Sequence, residues 1–204
     1  MSDSPAVLDE KRVENDPITQ FARWYEEACA AVKPLPEACA LATSTTTGHP
    51  SARMVLLKGF DAHGFVFYTN YRSRKGRELG RNGRASLLFY WAQLDRQVRI
   101  DGRAVKLSAR ESDAYFATRP RGSQLSAWAS AQSERVAGRA ALERRYAALE
   151  RKHPDAVPRP PHWGGYRLAP DAIEFWQNRA DRLHDRILYR RDARGRWGIE
   201  RLAP

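Results

Sequence analysis

The sequence is poor in cysteine, which excludes folds that depend on disulfide bonds. Only Cys29 and Cys39 occur in 204 residues, too few for the disulfide framework of a small secreted domain. Both lie beside alanines, so we predict small buried side chains in a reducing compartment. The five histidines never stand at zinc-ligand spacing, either with one another or with the cysteines. The sequence therefore predicts no metal site.

Long apolar runs are missing as well. No window approaches the ~20 apolar residues of a membrane span. The N-terminus, MSDSPAVLDEKRVEND, lacks the apolar region of a signal peptide. The P-loop, the GxGxxG fingerprint and the GxSxG elbow do not occur in the sequence either. We therefore expect a cytoplasmic protein with no membrane partner.

Lysine is scarce although the chain is strongly basic. Only six of the 35 cationic residues are lysines, and the formal net charge is +11. Arginine can bind phosphate through two parallel hydrogen bonds, so the composition suits a nucleic acid or a phosphorylated small molecule. Composition alone does not choose between these two partners.

The residues that are present describe one folded domain. With 42% apolar residues, a chain of this length can bury a single core. Residues 1–15 carry no periodic apolar pattern and predict a mobile tail, whereas residues 16–204 form the domain. A helix follows the tail, because Asp16 can cap free amides, Pro17 suits the first helical position, and apolar residues recur at helical spacing up to Val32.

The rest of the domain changes to the two-residue period of β-strands. Short β-branched or aromatic runs between turn sequences predict antiparallel strands at 38–46, 52–60, 64–69, 85–92, 97–107, 166–168, 173–177, 183–189 and 197–201. Further helices are predicted at 73–82, at 108–119, where Ser108 and Glu111 form a capping-box pattern, and at 133–152. Many short strands with flanking helices favour a barrel or a sandwich over a parallel sheet.

Two cations interrupt the apolar run at 53–58. An unpaired buried cation is costly, so Arg53 and Lys58 should each reach solvent, a carboxylate or a bound anion. Snorkelling at a strand end is an equally good interpretation of either residue alone. On a regular strand these two positions face opposite sides, so a single shared site would need a bulge or a bend.

A second cationic group begins a predicted helix. Ser73 is a suitable N-cap, and Arg74 and Lys75 follow it directly. Free backbone amides, the positive end of the helix dipole and the side-chain charges together predict a phosphate-sized anion site. A solvated basic helix end is the alternative interpretation.

Two further groups of side chains can be placed by spacing. Tyr115 and Arg119 stand four residues apart on a predicted helix, with Ser123 just beyond, and could hold another phosphate, although surface Tyr and Arg pairs are common. Arg182, His184 and Arg186 alternate with Leu183, Asp185 and Ile187, so on a strand these three would face one side and form a cationic wall around an imidazole. A charged edge strand would give the same pattern.

At these positions the sequence resembles a known family. The runs RMVLLKGF (53–60), FYTNYRSRKGREL (67–79), RQVR (96–99), YFATRPRGSQLSAWAS (115–130) and EFWQNRADRLHDR (174–186), with the terminal RLAP, closely resemble pyridoxine (pyridoxamine) 5′-phosphate oxidase. The likeness covers about residues 16–204, with the motifs in the same order.

The resemblance implies a mainly β fold with flanking α-helices, an FMN-binding split β-barrel. It further implies a homodimer whose flavin sites lie at the interface and are built by both chains. The residues implied in FMN binding are Arg53, Met54, Val55, Leu56, Leu57, Lys58, Tyr68, Thr69, Arg74, Lys75, Gln97, Gln132, Ser133, Trp176 and Arg186.

The resemblance also implies the substrate site and the reaction. The implied substrate contacts are Lys58, Tyr115, Arg119, Ser123, Arg182, Leu183 and His184, of which Arg182 and His184 would be catalytic. The implied substrates are pyridoxine 5′-phosphate and pyridoxamine 5′-phosphate. Each would give a hydride from C4′ to flavin N5. The alcohol would form pyridoxal 5′-phosphate directly, and the amine would form it through an imine that water hydrolyses with loss of ammonia. Dioxygen would then reoxidise the flavin with release of hydrogen peroxide.

Three alternatives stay open at this point. A related split-barrel flavin oxidase of phenazine biosynthesis would share the flavin half of the site and oxidise a tricyclic dihydrophenazine. A nucleic-acid-binding protein would use the net charge, and its affinity would depend steeply on salt. A flavin-binding protein without turnover is the third. The complete 182–186 motif, together with Tyr115, Arg119 and Ser123, favours the vitamin B6 substrate and no nucleic-acid partner.

Overall fold

The computed structural model describes residues 7–204, which form a curled antiparallel sheet with helices packed around it. The helices are α1 Pro17–Ala31, α2 Arg74–Arg81, α3 Ala109–Thr118, α4 Arg121–Ala129 and α5 Arg139–Lys152. The strands are β1 Ala38–Ser44, β2 Pro50–Leu56, β3 Gly59–Asp61, β4 Gly64–Asn70, β5 Arg84–Trp91, β6 Arg96–Lys106, β7 Trp163–Gln177, β8 Asp185–Arg191 and β9 Trp197–Arg201. No helix of the described residues has the length and apolar character to cross a membrane.

The sheet closes on itself through the segment after β2. Its strand order is β2-β1-β5-β6-β7-β4-β3, and β8 pairs with β7 and β9. The backbone N–H of Lys58 donates to the Val66 carbonyl of β4 at 2.8 Å, so the two ends of the strand path meet. Helix α1 then fills the interior, because the Phe21 ring lies against Phe65 and Phe89 at centroid distances of 4.8 and 5.3 Å.

Strand β7 is the longest strand, and its two halves pair with different strands. Its residues 163–168 pair with β4, whereas residues 172–177 pair with β8. A register shift in the pairing with β6 at Asp101/Gly102 lies beside Pro170. A Cβ on Gly102 would stand 2.1 Å from the Ala169 carbonyl oxygen, so only glycine permits this close approach. The bulge lets one strand continue through a proline.

The predicted helix starts are confirmed where a side chain caps them. The Thr19 N–H donates to the Asp16 carboxylate at 3.0 Å, the Gly76 N–H donates to the Ser73 hydroxyl at 3.2 Å, and the capping box of Ser108 and Glu111 is complete. The start predicted for α5 at residue 133 is wrong, because Gly138 is non-helical with φ 141° and the helix begins after it.

Several predicted strand boundaries are corrected. The strand predicted at 52–60 is two strands separated at Leu57 and Lys58, and the strands predicted at 166–168 and 173–177 are parts of β7. Helix α4 was not predicted: Pro120 ends α3, as expected, but it also stands as the N-cap of the next helix.

Residues 7–15, the described part of the tail predicted at 1–15, contact the folded domain. Leu8 is 6% exposed and belongs to the main core. The Tyr189 hydroxyl donates to the Glu14 carbonyl at 2.7 Å. Burial of one apolar side chain and a few long-range hydrogen bonds therefore hold a segment that has no periodic pattern of its own. Residues 1–6 lie outside the described residues.

Candidate functional site

A cavity of about 440 Å³ lies between β2, β4 and the helices α2, α3 and α4. Ten of its lining residues were implicated from the sequence: Met54, Val55, Leu56, Lys58, Tyr68, Thr69, Lys75, Tyr115, Arg119 and Gln132. Five others were not: Asn70, Ser126, Ala127, Ser130 and Trp163. Lys58 lies in the break between β2 and β3 and lines the cavity, whereas Arg53 on β2 is not among the lining residues, so the two cations do not share this cavity.

The start of α2 forms one end of the cavity and gathers the segment at 132–133. Lys75 Nζ donates to the Gln132 side-chain oxygen at 3.2 Å, and the Thr69 hydroxyl donates to the same oxygen at 3.3 Å. The backbone N–H of Arg74 donates to the Ser133 hydroxyl at 3.1 Å. Lys75, Thr69 and Gln132 thus line the cavity beside a capped helix N-terminus, which suits a bound phosphate, while Arg74 and Ser133 lie next to it outside the lining.

Lys75 is a buried cation at this helix terminus. Its side chain is 9% exposed, and no ion pair to it occurs within residues 7–204. Burial, followed by the nearby Arg53 charge, lowers the pKa of the Lys75 ammonium. A buried ammonium without a carboxylate is stabilised when an anion binds beside it.

Arg53 lies behind the cavity wall in a network centred on Glu78. The Arg53 guanidinium donates to the Thr43 and Ser51 hydroxyls, each at 2.5 Å, and lies 3.5 Å from the Glu78 carboxylate. Burial opposes ionisation of Glu78, but hydrogen bonds from Ser51, Thr43 and Arg74 outweigh it and lower the Glu78 pKa to about 2. Glu78 therefore pairs with Arg53 and Arg74 but not with Lys75, and the group as a whole keeps a net positive charge.

Aromatic rings and a second cation form the other end of the cavity. The Tyr68 ring stacks on Tyr115 at 3.9 Å and on Trp163 at 5.4 Å, and the Arg119 guanidinium lies 4.5 Å from the Trp163 ring centroid. Arg119 Nη1 is buried and has no hydrogen-bond partner among the described residues. Burial lowers the Arg119 pKa. Such an orphaned donor fits an anionic ligand group.

Two more residues implied in substrate binding stand near this end. Lys58 lines the cavity and lies 3.7 Å from the Glu37 carboxylate. Ser123 lies in the first turn of α4, where its N–H donates to the Pro120 carbonyl at 2.8 Å, but it is not among the lining residues.

A second group of implicated residues gathers at the far end of β7. Gln97, Trp176 and Arg186 lie side by side on β6, β7 and β8, and the Trp176 and His184 rings are 4.7 Å apart. Arg186 Nε donates to Glu174 at 2.8 Å. This group lies on an open surface and does not enclose a cavity, because Leu183 beside it is 70% exposed.

The predicted strand placement of Arg182 and His184 is wrong. Strand β8 begins only at Asp185, and Arg182 lies in a short 3₁₀ turn, Ala180–Arg182. Asp181 and Arg182 have φ values of 55° and 61°, a left-handed conformation that ends the alternation of side chains. The two residues are therefore presented by a loop.

The two groups lie at opposite ends of one strand. Trp163 begins β7 at the cavity, and Trp176 stands thirteen residues later beside His184. At ~3.3 Å per residue, the strand between them spans up to about 40 Å. Since none of Gln97, Trp176, Arg182, His184 or Arg186 lines the cavity, the two groups can form one site only between two chains.

Three of the five unpredicted cavity residues have a common origin. Ser126, Ala127 and Ser130 lie on or directly after α4, so their position could be inferred only once that helix was known. Their small side chains, within the quoted SAWAS run, were the available signal.

Comparison with protein families gives two matches that together span most of the chain. Residues 25–153 match the family described as pyridoxamine 5′-phosphate oxidase. Residues 163–204 match the region described as the pyridoxine 5′-phosphate oxidase C-terminal dimerisation region.

Curated relatives agree with these matches. The pyridoxine/pyridoxamine 5′-phosphate oxidase of Burkholderia lata is 58% identical over 203 residues, which are 98% of this chain and 95% of the relative. The enzyme of the same name from Rubrobacter xylanophilus is 60% identical over 200 residues, 98% of this chain and 92% of the relative.

Solved structures add the fold. PhzG from Burkholderia lata 383, solved with tetrahydrophenazine-1-carboxylic acid, has a TM-score of 0.91 and 39% identity over 97% of this chain and 98% of its own. A pyridoxamine 5′-phosphate oxidase-related, FMN binding protein from Nostoc punctiforme has a TM-score of 0.73 at 20% identity, over 98% of this chain and 100% of its own. The expected mainly β split-barrel fold with flanking helices is confirmed.

Proposed function

Because the chain belongs to the pyridoxamine 5′-phosphate oxidase family, with FMN as its cofactor, we propose that it oxidises pyridoxine 5′-phosphate or pyridoxamine 5′-phosphate to pyridoxal 5′-phosphate. Dioxygen is the electron acceptor in this proposal, and hydrogen peroxide is released. The proposal rests above all on two cations that line one cavity: buried Lys75, and half-buried Arg119 with its buried, unpartnered Nη1.

Each cation accounts for one phosphate. Lys75, with Arg74, Thr69, Gln132 and Ser133 around the start of α2, would hold the FMN phosphate, and Val55 and Leu56 supply apolar wall beside it. The chemistry of this set fits that group, since an uncompensated ammonium and a capped helix terminus both favour an anion.

The substrate phosphate would be bound at the aromatic end. Arg119 would direct its orphaned Nη1 to a phosphate oxygen while its guanidinium stays on Trp163. The Tyr115 hydroxyl, Lys58 and Ser123 would complete the contacts. A charge-assisted hydrogen bond of this kind contributes about 1.5–3 kcal/mol, which is enough to select phosphorylated vitamers.

The loop at 179–184 would act on the pyridine ring. His184 Nδ1 accepts a hydrogen bond from the Arg179 N–H at 3.2 Å, so a neutral His184 carries its proton on Nε2 and can donate it to a ring substituent. Arg182 would press the ring into place and stabilise developing negative charge. Bound FMN would supply the hydride acceptor and the route of the electrons to dioxygen.

Two chains would be needed for each site. The cavity of one chain would receive Gln97, Trp176, Arg182, His184 and Arg186 from its partner, which makes the enzyme a homodimer with its flavin sites at the interface. The matched dimerisation region, 163–204, includes β7, β8 and β9. Met54 and Tyr90, which are 63% and 62% exposed in the single chain, are apolar surface that such a partner would cover.

A second candidate reaction is the oxidation of a dihydrophenazine-type substrate. The similarity to PhzG, whose structure holds tetrahydrophenazine-1-carboxylic acid, favours it. That ligand carries a carboxylate in place of a phosphate. Arg119 and Lys58 both line the cavity, and together they offer more charged donors than a single carboxylate needs, which favours the phosphorylated substrate.

The test is an assay of peroxide formation by the FMN-loaded protein. Pyridoxine 5′-phosphate, pyridoxamine 5′-phosphate, unphosphorylated pyridoxine and a dihydrophenazine are compared as substrates. Turnover of the two phosphorylated vitamers, with at least tenfold lower kcat/KM for pyridoxine, is the expected result. Turnover of the dihydrophenazine alone would replace the proposal by the second candidate, and FMN binding without any turnover would leave a binding protein.

A further inference from the structure

Asp185, the first residue of β8, joins three separate segments of the chain. It is 8% exposed, and its carboxylate accepts hydrogen bonds from the Leu8 N–H at 3.2 Å, Arg179 Nε at 2.7 Å and Arg201 Nη1 at 2.9 Å. Burial opposes its ionisation, but the bonds from Arg179 and Arg201 outweigh burial and lower its pKa. Asp185 is therefore a fixed carboxylate at the base of the loop that carries Arg182 and His184.

The Arg179 side of this carboxylate leads to His184. The Arg179 guanidinium is held by Asp185, and the backbone N–H of the same residue donates to His184 Nδ1. Between these two anchors the backbone passes through left-handed conformations at Asp181 and Arg182. Left-handed backbone is unfavourable for residues other than glycine, so the loop keeps this shape only if its ends are held.

The Arg201 side leads to the N-terminal segment. Arg201 Nη2 donates to the Leu8 carbonyl at 2.7 Å and to the Glu10 carboxylate at 2.7 Å. Two arginines thus share one carboxylate, and each is attached to a different part of the fold. Loss of Arg179 and loss of Arg201 should have different consequences.

We propose that Asp185 is a positioning residue that acts through Arg179 to hold His184 in the tautomer protonated on Nε2. When Arg179 is fixed by Asp185, its N–H points at Nδ1, which must then be the acceptor nitrogen of a neutral ring. When it is released, either nitrogen can carry the proton. The role of His184 in oxidation rests on the proposed function, whereas the tautomer of His184 does not.

The test is a measurement of the His184 tautomer in the protein without substrate. Protein labelled with ¹⁵N at histidine is studied near pH 8, and the His184 ring signals are identified by their loss in His184→Gln. The shifts of Nδ1 and Nε2 distinguish an acceptor nitrogen from a protonated one. The compared variants are Asp185→Asn, Arg179→Met, Arg201→Met and, as a matched control, Asp192→Asn, whose carboxylate is exposed on the β8–β9 hairpin.

The proposal predicts a division among these variants. The parent, Arg201→Met and Asp192→Asn should hold a single tautomer with Nδ1 as the acceptor. In Arg179→Met and Asp185→Asn the two ring signals should move toward each other as both tautomers become populated. Unchanged signals in Arg179→Met, or equal mixing in Arg201→Met, would overturn the proposal. Arg179→Met decides the matter if Asp185→Asn does not fold.

A kinetic measurement separates this inference from the proposed function. With pyridoxine 5′-phosphate, Arg179→Met should lower kcat about tenfold while KM stays within about twofold, because the substrate phosphate is held elsewhere. Arg179→Lys, which can still reach Asp185, should regain part of the loss. If the FMN-loaded parent oxidises no B6 vitamer, the proposed function fails, and the tautomer measurement still tests the role of Asp185.

Discussion

Replacing Lys75 by methionine should change stability and cofactor affinity in opposite directions. Without FMN, the Lys75 ammonium is buried and its pKa is lowered by that burial. Within residues 7–204 it donates one hydrogen bond, to Gln132 at 3.2 Å. Methionine keeps most of the apolar stem and removes the desolvated charge. We expect the apoprotein to gain about 1 kcal/mol in its free energy of unfolding, which corresponds to a rise in Tm of about 2–4 °C for a chain of this length.

The same change should weaken FMN binding. The lost charge-assisted hydrogen bond to a phosphate contributes about 1.5–3 kcal/mol, so the Kd of FMN should rise about 10- to 150-fold. Calorimetry of the apoprotein gives the first quantity, and quenching of flavin fluorescence on titration gives the second. Lys152→Met, at the exposed end of α5, is the control and should change neither. A lower Tm of the Lys75→Met apoprotein together with unchanged FMN affinity would refute the assignment of Lys75.

Three other predictions concern single residues. The pKa of Glu78 is about 2 in the folded state, against 4.5 for an ordinary glutamate, so its ionisation stabilises the fold above pH 4.5, and this contribution of about 3 kcal/mol is lost as the pH falls toward 2. When the free energy of unfolding is measured at decreasing pH, Glu78→Gln should lose less stability than the parent. An equal loss in both proteins would contradict the network around Glu78. Arg119→Met should raise KM for pyridoxine 5′-phosphate about 10- to 100-fold with FMN Kd within about twofold, and an unchanged KM in steady-state kinetics would remove Arg119 from the substrate site. Ser108→Ala removes the cap of α3 and should lower the free energy of unfolding by about 1 kcal/mol in urea; no loss would show that the cap contributes nothing.

Much of the cavity could be predicted because its residues lie in contiguous motifs. Tyr115 lies on α3 and Arg119 is the C-cap residue of the same helix. Ser73 caps α2, as expected of a serine at the start of a helix. These features depend on local backbone geometry, which the neighbouring residues decide. The cofactor and fold followed from the resemblance of the same motifs to a known family.

Features that depend on contacts between distant segments could not be predicted. Glu78 meets Arg53 only after α2 packs beside β2, and Leu8 reaches Asp185 across 177 residues of sequence. The periodicity of the sequence around 182–186 indicates a strand, but the left-handed backbone at Asp181 and Arg182 overrides it. Such a conformation is held by tertiary contacts, and the alternation of apolar and polar residues in the sequence does not reveal it.

The continuation of β7 through Pro170 shows a related limit. A proline in the sequence normally argues against a continuous strand at that position. In β7 the bulge opposite Gly102 accommodates Pro170, so the strand continues. This single continuous strand separates the two halves of the proposed site by its whole length. The resemblance had already implied sites built by both chains, and the length of β7 gives a physical reason for that arrangement.

A heterodimer tests most directly whether each site is built from two chains. Arg119→Met and Arg182→Met chains, each impaired as a homodimer, are co-expressed with different affinity tags, and the doubly tagged dimer is purified. One of its two sites then combines Arg119 of one chain with Arg182 of the other, so its peroxide-forming activity on pyridoxine 5′-phosphate should return to about half that of the parent dimer. Activity no higher than that of the two impaired homodimers would contradict the account.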